Sequence, residues 1–160
     1  MLEPPYLFVY GTLRASAGTE WSRFLTAASR FVGSGRTRGE LYHLDGYPGT
    51  TVRAGDDAWV SGEVYLLNDP VSALSRLNEY EGCSPSDPPP HEFERQVVTV
   101  LLDAGGTVQA WAYIYSLETA GKARIVPGDY LRPGSAAPVW RAETEDRDSR
   151  GQAARARGRQ

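Results

Sequence analysis

Leu7-Phe8-Val9-Tyr10-Gly11-Thr12-Leu13 decides how this chain begins to fold: a short apolar run is stopped by glycine, which reads as a buried strand entering a tight turn. Downstream, Trp21, Phe24, Leu25 and Ala28 recur at i, i+3, i+4 and i+7, the spacing of a helix that lays one face on a core. Strand, glycine turn and helix therefore open the fold.

Working outward, Phe31 to Leu44 is rich in Gly, Thr and aromatic residues, with Gly33, Gly35 and Gly39 spaced as expected of twisted or bulged strands bending around a barrel. Asp45-Gly46-Tyr47-Pro48-Gly49 reads as the next turn, and Trp59 to Leu67 as another strand. Asp69-Pro70 supplies an N-cap and a proline for the first helical position, so a helix is predicted over 69–82, closed by Gly82. A proline-rich loop, Ser84 to Pro90, follows. Two strands come next, Phe93 to Leu102 and Val108 to Tyr115, joined as a hairpin through Asp103-Ala104-Gly105-Gly106. Beyond Tyr130-Leu131 the apolar pattern stops. The expected organisation is one domain over 1–132 and a disordered or weakly docked tail over 133–160.

Composition excludes several classes. Of 160 residues, 41% are hydrophobic and 23% charged, which is ordinary for a globular protein and wrong for collagen, a coiled coil or wholesale disorder. The net charge of −3 divides into about −5 on 1–132 and +2 on the tail. An acidic body lacks the clustered Lys and Arg of a nucleic-acid platform, and the arginines of the tail are the one contrary hint. No apolar run approaches the roughly 20 residues of a membrane span, and Met1 to Pro5 has neither the basic start nor the apolar stretch of a secretory signal. The cytoplasm is the expected compartment. The single cysteine, Cys83, cannot form an internal disulfide, and with two histidines it makes too sparse a set for a His/Cys metal site. A metal-free mechanism is expected, with carboxylate-only metal sites left open.

The unusual residue is Glu81. It follows Leu74 by seven positions and Leu77 by four, so a helix that turns those leucines inward carries a carboxylate toward a mostly apolar interior, while Glu79 turns to solvent. Glu81 also falls at the helix end that carries the negative dipole. Burial and that dipole both disfavour an ionised carboxylate, which suits a group that accepts and returns a proton near neutral pH. Pattern alone leaves a second reading, a solvated glutamate whose stem brushes the core.

Tyr10-Gly11-Thr12-Leu13 is likewise either a tight connection or a cradle whose backbone N–H groups collect an anion, with Gly11 letting a ligand approach the backbone. It has no Walker lysine and no GxGxxG pattern, so a carboxylate suits it better than a nucleotide phosphate. His43 and His91 have no partner suggested by spacing, and Cys83 reads as a passive thiol. Trp111, Tyr113 and Tyr115 share one strand face and read as core or pocket lining, while Arg95 reads as either an ion pair or a carboxylate ligand.

Taken in order, Leu7-Phe8-Val9-Tyr10-Gly11-Thr12-Leu13-Arg14, Gly39-Glu40-Leu41-Tyr42, Gly46-Tyr47-Pro48-Gly49, Gly62-Glu63-Val64-Tyr65, Leu77-Asn78-Glu79-Tyr80-Glu81-Gly82, Phe93-Glu94-Arg95 and Ala110-Trp111-Ala112-Tyr113 match a known pattern. The chain resembles the γ-glutamylcyclotransferase-like family, in its AIG2-like and γ-glutamylamine cyclotransferase branch. The resemblance implies an α+β fold, a small mixed β-barrel with flanking helices. It implies a substrate group held by Tyr10, Gly11, Thr12 and Leu13, and Glu81 acting as acid and base. The implied reaction releases 5-oxoproline from a γ-glutamyl amine, amino acid or peptide, with no cofactor, no nucleic acid and no membrane. Two positions depart from the family pattern, which often has aspartate where this chain has Asn78 and tyrosine where it has Phe93. A catalytically inactive binding module for a γ-glutamyl or amino-acid-like ligand is the alternative.

Overall fold

The computed structural model describes residues 3–11, 18–44, 46–52, 58–126 and 128–130. Five strands close into a barrel in the order β1-β5-β2-β6-β7, where β1 is Tyr6–Val9, β2 Ser29–Arg38, β5 Trp59–Leu67, β6 Phe93–Leu102 and β7 Thr107–Tyr115. Four of the five contacts are antiparallel. The closing one is parallel, β1 beside β7, with Leu7 paired to Trp111. A second sheet of β4 (Pro48–Thr51), β3 (Glu40–His43) and β8 (Ala123–Ile125) accompanies the barrel.

The glycine-rich stretch after the first helix behaves as its composition predicts. The pairing of β2 with β5 slips by one residue between Phe31 and Gly33, a bulge that lets a long strand curve into the barrel. Strand alternation then sorts side chains into two cores. Phe8, Val60, Val64, Val98, Val100, Ala110, Ala112 and Ile114 come from four barrel strands and pack together, as the inside of a closed sheet requires. Leu7, Val9, Tyr65, Leu67, Phe93, Tyr113 and Tyr115 point to the other face, where they meet Leu25, Leu74, Leu77 and Tyr80 of the helices.

Helix α1 (Glu20–Ala28) is capped by Thr19, whose hydroxyl accepts from the Ser22 N–H at 3.0 Å. Helix α2 (Pro70–Glu81) starts at Asp69, with proline in its first turn, and ends at Gly82 in the left-handed conformation, φ 79°. Its last turn is closed by the Cys83 N–H on the Asn78 carbonyl, 2.9 Å. Among the described residues no helix is long and apolar enough to cross a membrane.

One expectation is corrected. Pro48-Gly49, read as part of a turn, opens strand β4, which pairs with β3 on one side only; proline is tolerated because it is the first residue of an edge strand and owes no ladder bond there. Residues 123–125 form a strand too short to show any alternation. Just past it, Gly128 pairs with Val60, and Tyr130 is only 1% exposed, so the folded body extends at least that far. The expected tail over 133–160 lies outside the described residues.

Candidate active site

Helix α2 sorts its residues as the spacing predicts. Leu74 and Leu77 are buried, Glu79 is exposed, and Glu81 is buried at 8% exposure. Tyr80 is buried as well, stacked on Trp21 of α1 at 4.6 Å between ring centroids, so the inward face is wider than the leucine stripe alone.

One turn before Glu81, Asn78 Oδ1 accepts a hydrogen bond from the Tyr113 hydroxyl at 2.7 Å. This joins the end of α2 to β7. Burial, reinforced by the Glu81 carboxylate and then by Cys83, raises the Tyr113 phenol above its ordinary range, with the Arg95 guanidinium pulling weakly the other way. Tyr113 therefore stands as a neutral donor. The Cys83 thiol is pushed up to about 12, first by burial and then by Glu81 and Glu94. A thiol so disfavoured as thiolate is no nucleophile at neutral pH. Native Cys83 is accordingly expected to react with iodoacetamide at pH 8 at least about tenfold more slowly than the same residue in the unfolded chain, because the thiolate fraction sets the rate. Mass spectrometry of the alkylated cysteine checks this, and equal rates would contradict it.

The turn after β1 starts at the same place. Extending the parallel register of Leu7 with Trp111 brings Val9 level with Tyr113 and Gly11 level with Tyr115. Tyr10 is buried, and its hydroxyl donates to the Tyr113 carbonyl at 2.6 Å while accepting from the Thr50 N–H at 3.4 Å. Its side chain thus buckles the barrel to the second sheet. Gly11 is needed for close approach, and the approaching group is Pro48: a Cβ on Gly11 would stand 2.6 Å from Pro48 Cγ. Gly11 is therefore packed against Pro48 of the second glycine-containing stretch. Thr12 and Leu13 lie outside the described residues.

The two departures from the family pattern have structural partners. Asn78 keeps an oxygen for Tyr113, as an aspartate would. Phe93 stands in an aromatic group with Tyr47, 6.1 Å, and Tyr115, 5.8 Å. Reading the sequence for charge missed Asn78 and Tyr113 as a pair. Spacing could single out Asn78 alone, which lies at i to the i+3 of Glu81 on one helix face, and nothing in it points to Tyr113.

A family model described as gamma-glutamyl cyclotransferase, AIG2-like, matches residues 7–132. A protein of Methanocaldococcus jannaschii, named as an inferred γ-glutamylcyclotransferase, is 29% identical over 126 residues, which cover 78% of this chain and 94% of that protein. The gamma-L-glutamyl-butirosin B gamma-glutamyl cyclotransferase of Niallia circulans is 31% identical over 114 residues, 70% of this chain and 67% of that enzyme. Among solved structures, an AIG2-like protein of Mus musculus superposes with a TM-score of 0.60 at 23% identity, covering 82% of this chain and 92% of that one, a likeness of fold. With its motifs, its barrel and most of its length in agreement, the chain belongs to the AIG2-like γ-glutamyl cyclotransferase family.

Proposed function

We propose that this protein is a γ-glutamyl cyclotransferase that releases 5-oxoproline, with Glu81 as general acid and base and residues 10–13 as the substrate cradle. The observation that supports the reading is the buried carboxylate of Glu81, at the end of the helix whose Asn78 accepts from Tyr113, the residue that the β1–β7 register sets level with Val9.

The chemistry is intramolecular. The α-amine of the γ-glutamyl group attacks its own γ-carbonyl carbon, a five-membered lactam forms, and the γ-amide C–N bond breaks. Glu81 takes the proton that the attacking nitrogen sheds and returns it to the departing nitrogen, so the protein ends in its starting state. Because nucleophile and electrophile belong to one molecule, the main task is to hold the folded conformer, and such preorganisation reaches effective molarities of about 10⁵ to 10⁸ M. Proton transfer by a positioned carboxylate contributes a further ~10² to 10⁴-fold. Backbone N–H groups of the cradle are suited to the substrate carboxylate or to the oxyanion that develops on the γ-carbonyl. Tyr113, neutral and donating to Asn78, braces the helix end that carries the base.

A panel of γ-glutamyl amines, amino acids and peptides, assayed for 5-oxoproline, tests this. Release from at least one class is expected. Binding of γ-glutamyl ligands without release would make the pocket a binding module.

A further inference from the structure

Arg95 has a guanidinium nitrogen that the contacts among the described residues leave without a partner. It lies on β6 directly across from Tyr113 of β7, and so shares a sheet face with Tyr113 and Trp111. Its guanidinium carbon sits 4.1 Å from the centroid of the Trp111 ring. Among the described residues, the buried Nη1 has no hydrogen-bond acceptor, and neither has the buried Trp111 Nε1–H.

The nearby acceptors are engaged elsewhere. Glu94, next in sequence, pairs with His91 at 3.3 Å. Glu92 accepts from the Tyr47 hydroxyl. Asn78 is neutral, and its oxygen is taken by Tyr113. Arg95 and Glu81 both act on Tyr113 and Cys83, with opposite sign, which puts the cation and the carboxylate around the same spot.

Buried donors without acceptors are rare in folded proteins, and a charged one beside the base of an active site marks where an anionic ligand atom belongs. A planar guanidinium matches a carboxylate with two parallel N–H···O bonds. Stacking on an indole also holds the guanidinium plane before the ligand arrives, so less freedom is lost on binding.

We propose that Arg95, held over the Trp111 ring, seats a carboxylate of the substrate. The proposal rests on the cyclotransferase reading above and extends it to substrate choice. A γ-glutamyl amino acid offers two carboxylates, that of the glutamyl group and that of the leaving amino acid, whereas a γ-glutamyl alkylamide offers only the first.

The test compares wild type, Arg95→Lys and Arg95→Gln on γ-glutamyl-alanine and γ-glutamyl-ethylamide. Arg95→Gln is expected to raise KM at least about tenfold with kcat nearly unchanged, as for loss of a charged hydrogen bond made equally in ground and transition states. Arg95→Lys, which keeps the charge without the fork, should fall between. Equal rises on both substrates assign the glutamyl carboxylate; a rise confined to γ-glutamyl-alanine assigns that of the leaving group. KM within twofold of wild type on both substrates, in a variant with a native melting curve, overturns the proposal and leaves Arg95 a packing partner of Trp111.

Calorimetry on wild-type protein adds a readout that needs neither turnover nor a folded variant. Where the kinetics assign the glutamyl carboxylate, 5-oxoproline is expected to bind at least about tenfold more tightly than 2-pyrrolidinone, the same ring without the carboxylate, and equal affinity overturns that assignment. A carboxylate preference that Arg95→Gln abolishes, in a protein that turns over no γ-glutamyl compound, would sustain the seat while the cyclotransferase reading fails.

Discussion

Replacing Glu81 with glutamine is expected to cut 5-oxoproline formation by at least about 10²-fold, the lower end for losing a general acid–base group. Glutamine fills the same volume and keeps a hydrogen-bonding side chain, so the buried wall of Leu74, Leu77 and Tyr80 has no reason to repack. It cannot move a proton. Ligand affinity should therefore survive, and the loss should fall on kcat. Glu79→Gln is the matched control: it removes the same charge two residues away on the exposed face of α2 and should leave turnover within about twofold. Steady-state rates for both variants, with thermal melts to show that each folds, separate proton transfer from a general effect of charge. Wild-type turnover in Glu81→Gln would remove Glu81 from the chemistry.

Gly11→Val is expected to damage the fold before it damages binding. Pro48 already occupies the space where the first side-chain atom would go, 2.6 Å from the ideal Cβ position, and a proline ring cannot swing aside as a flexible chain end does. Two further methyl carbons make the overlap worse. Overpacking of this kind typically costs about 1–3 kcal/mol. For a domain of this size that lowers Tm by roughly 3–12 °C. The strain would act where the turn after β1 meets β4, so affinity for a non-cyclisable γ-glutamyl analogue should fall in the fraction that folds. Pro48→Ala in the same chain should recover part of the lost Tm, because it removes the ring atoms that collide. Scanning calorimetry on the single and double variants checks this, and an unchanged Tm in Gly11→Val would contradict the contact.

The barrel was legible wherever the sequence alternates over many residues. Trp59–Leu67 and Phe93–Leu102 could be bounded from the sequence because long strands with one face on each core carry a period-two pattern. Pro48–Thr51 could not, since Gly-Tyr-Pro-Gly has the residues of a turn and becomes a strand only through β3 beside it. The last strand, Ala123–Ile125, is held by β3 in the same way, and three residues cannot display a period.

The site divides along similar lines. The burial of Glu81 could be foreseen because a carboxylate on a leucine stripe conflicts with its own neighbours, and that conflict is local to one helix. The hydroxyl of Tyr113 on Asn78 joins residues 35 apart, and that of Tyr10 on the Tyr113 carbonyl joins residues 103 apart. Neither pairing leaves a trace in spacing. The contact of Gly11 with Pro48 is intermediate: both glycine-containing stretches are conspicuous in the sequence, but only the fold shows that one packs on the other.

The most direct test of the central claim is to run the reaction in H₂¹⁸O with whichever γ-glutamyl compound turns over fastest and to weigh the products by mass spectrometry. Attack by the substrate's own amine transfers no solvent oxygen, so the account predicts unlabelled 5-oxoproline in step with the released amine. Glutamate carrying one ¹⁸O would show that water is the nucleophile and that the protein is a hydrolase, and the intramolecular role given to Glu81 would then be wrong.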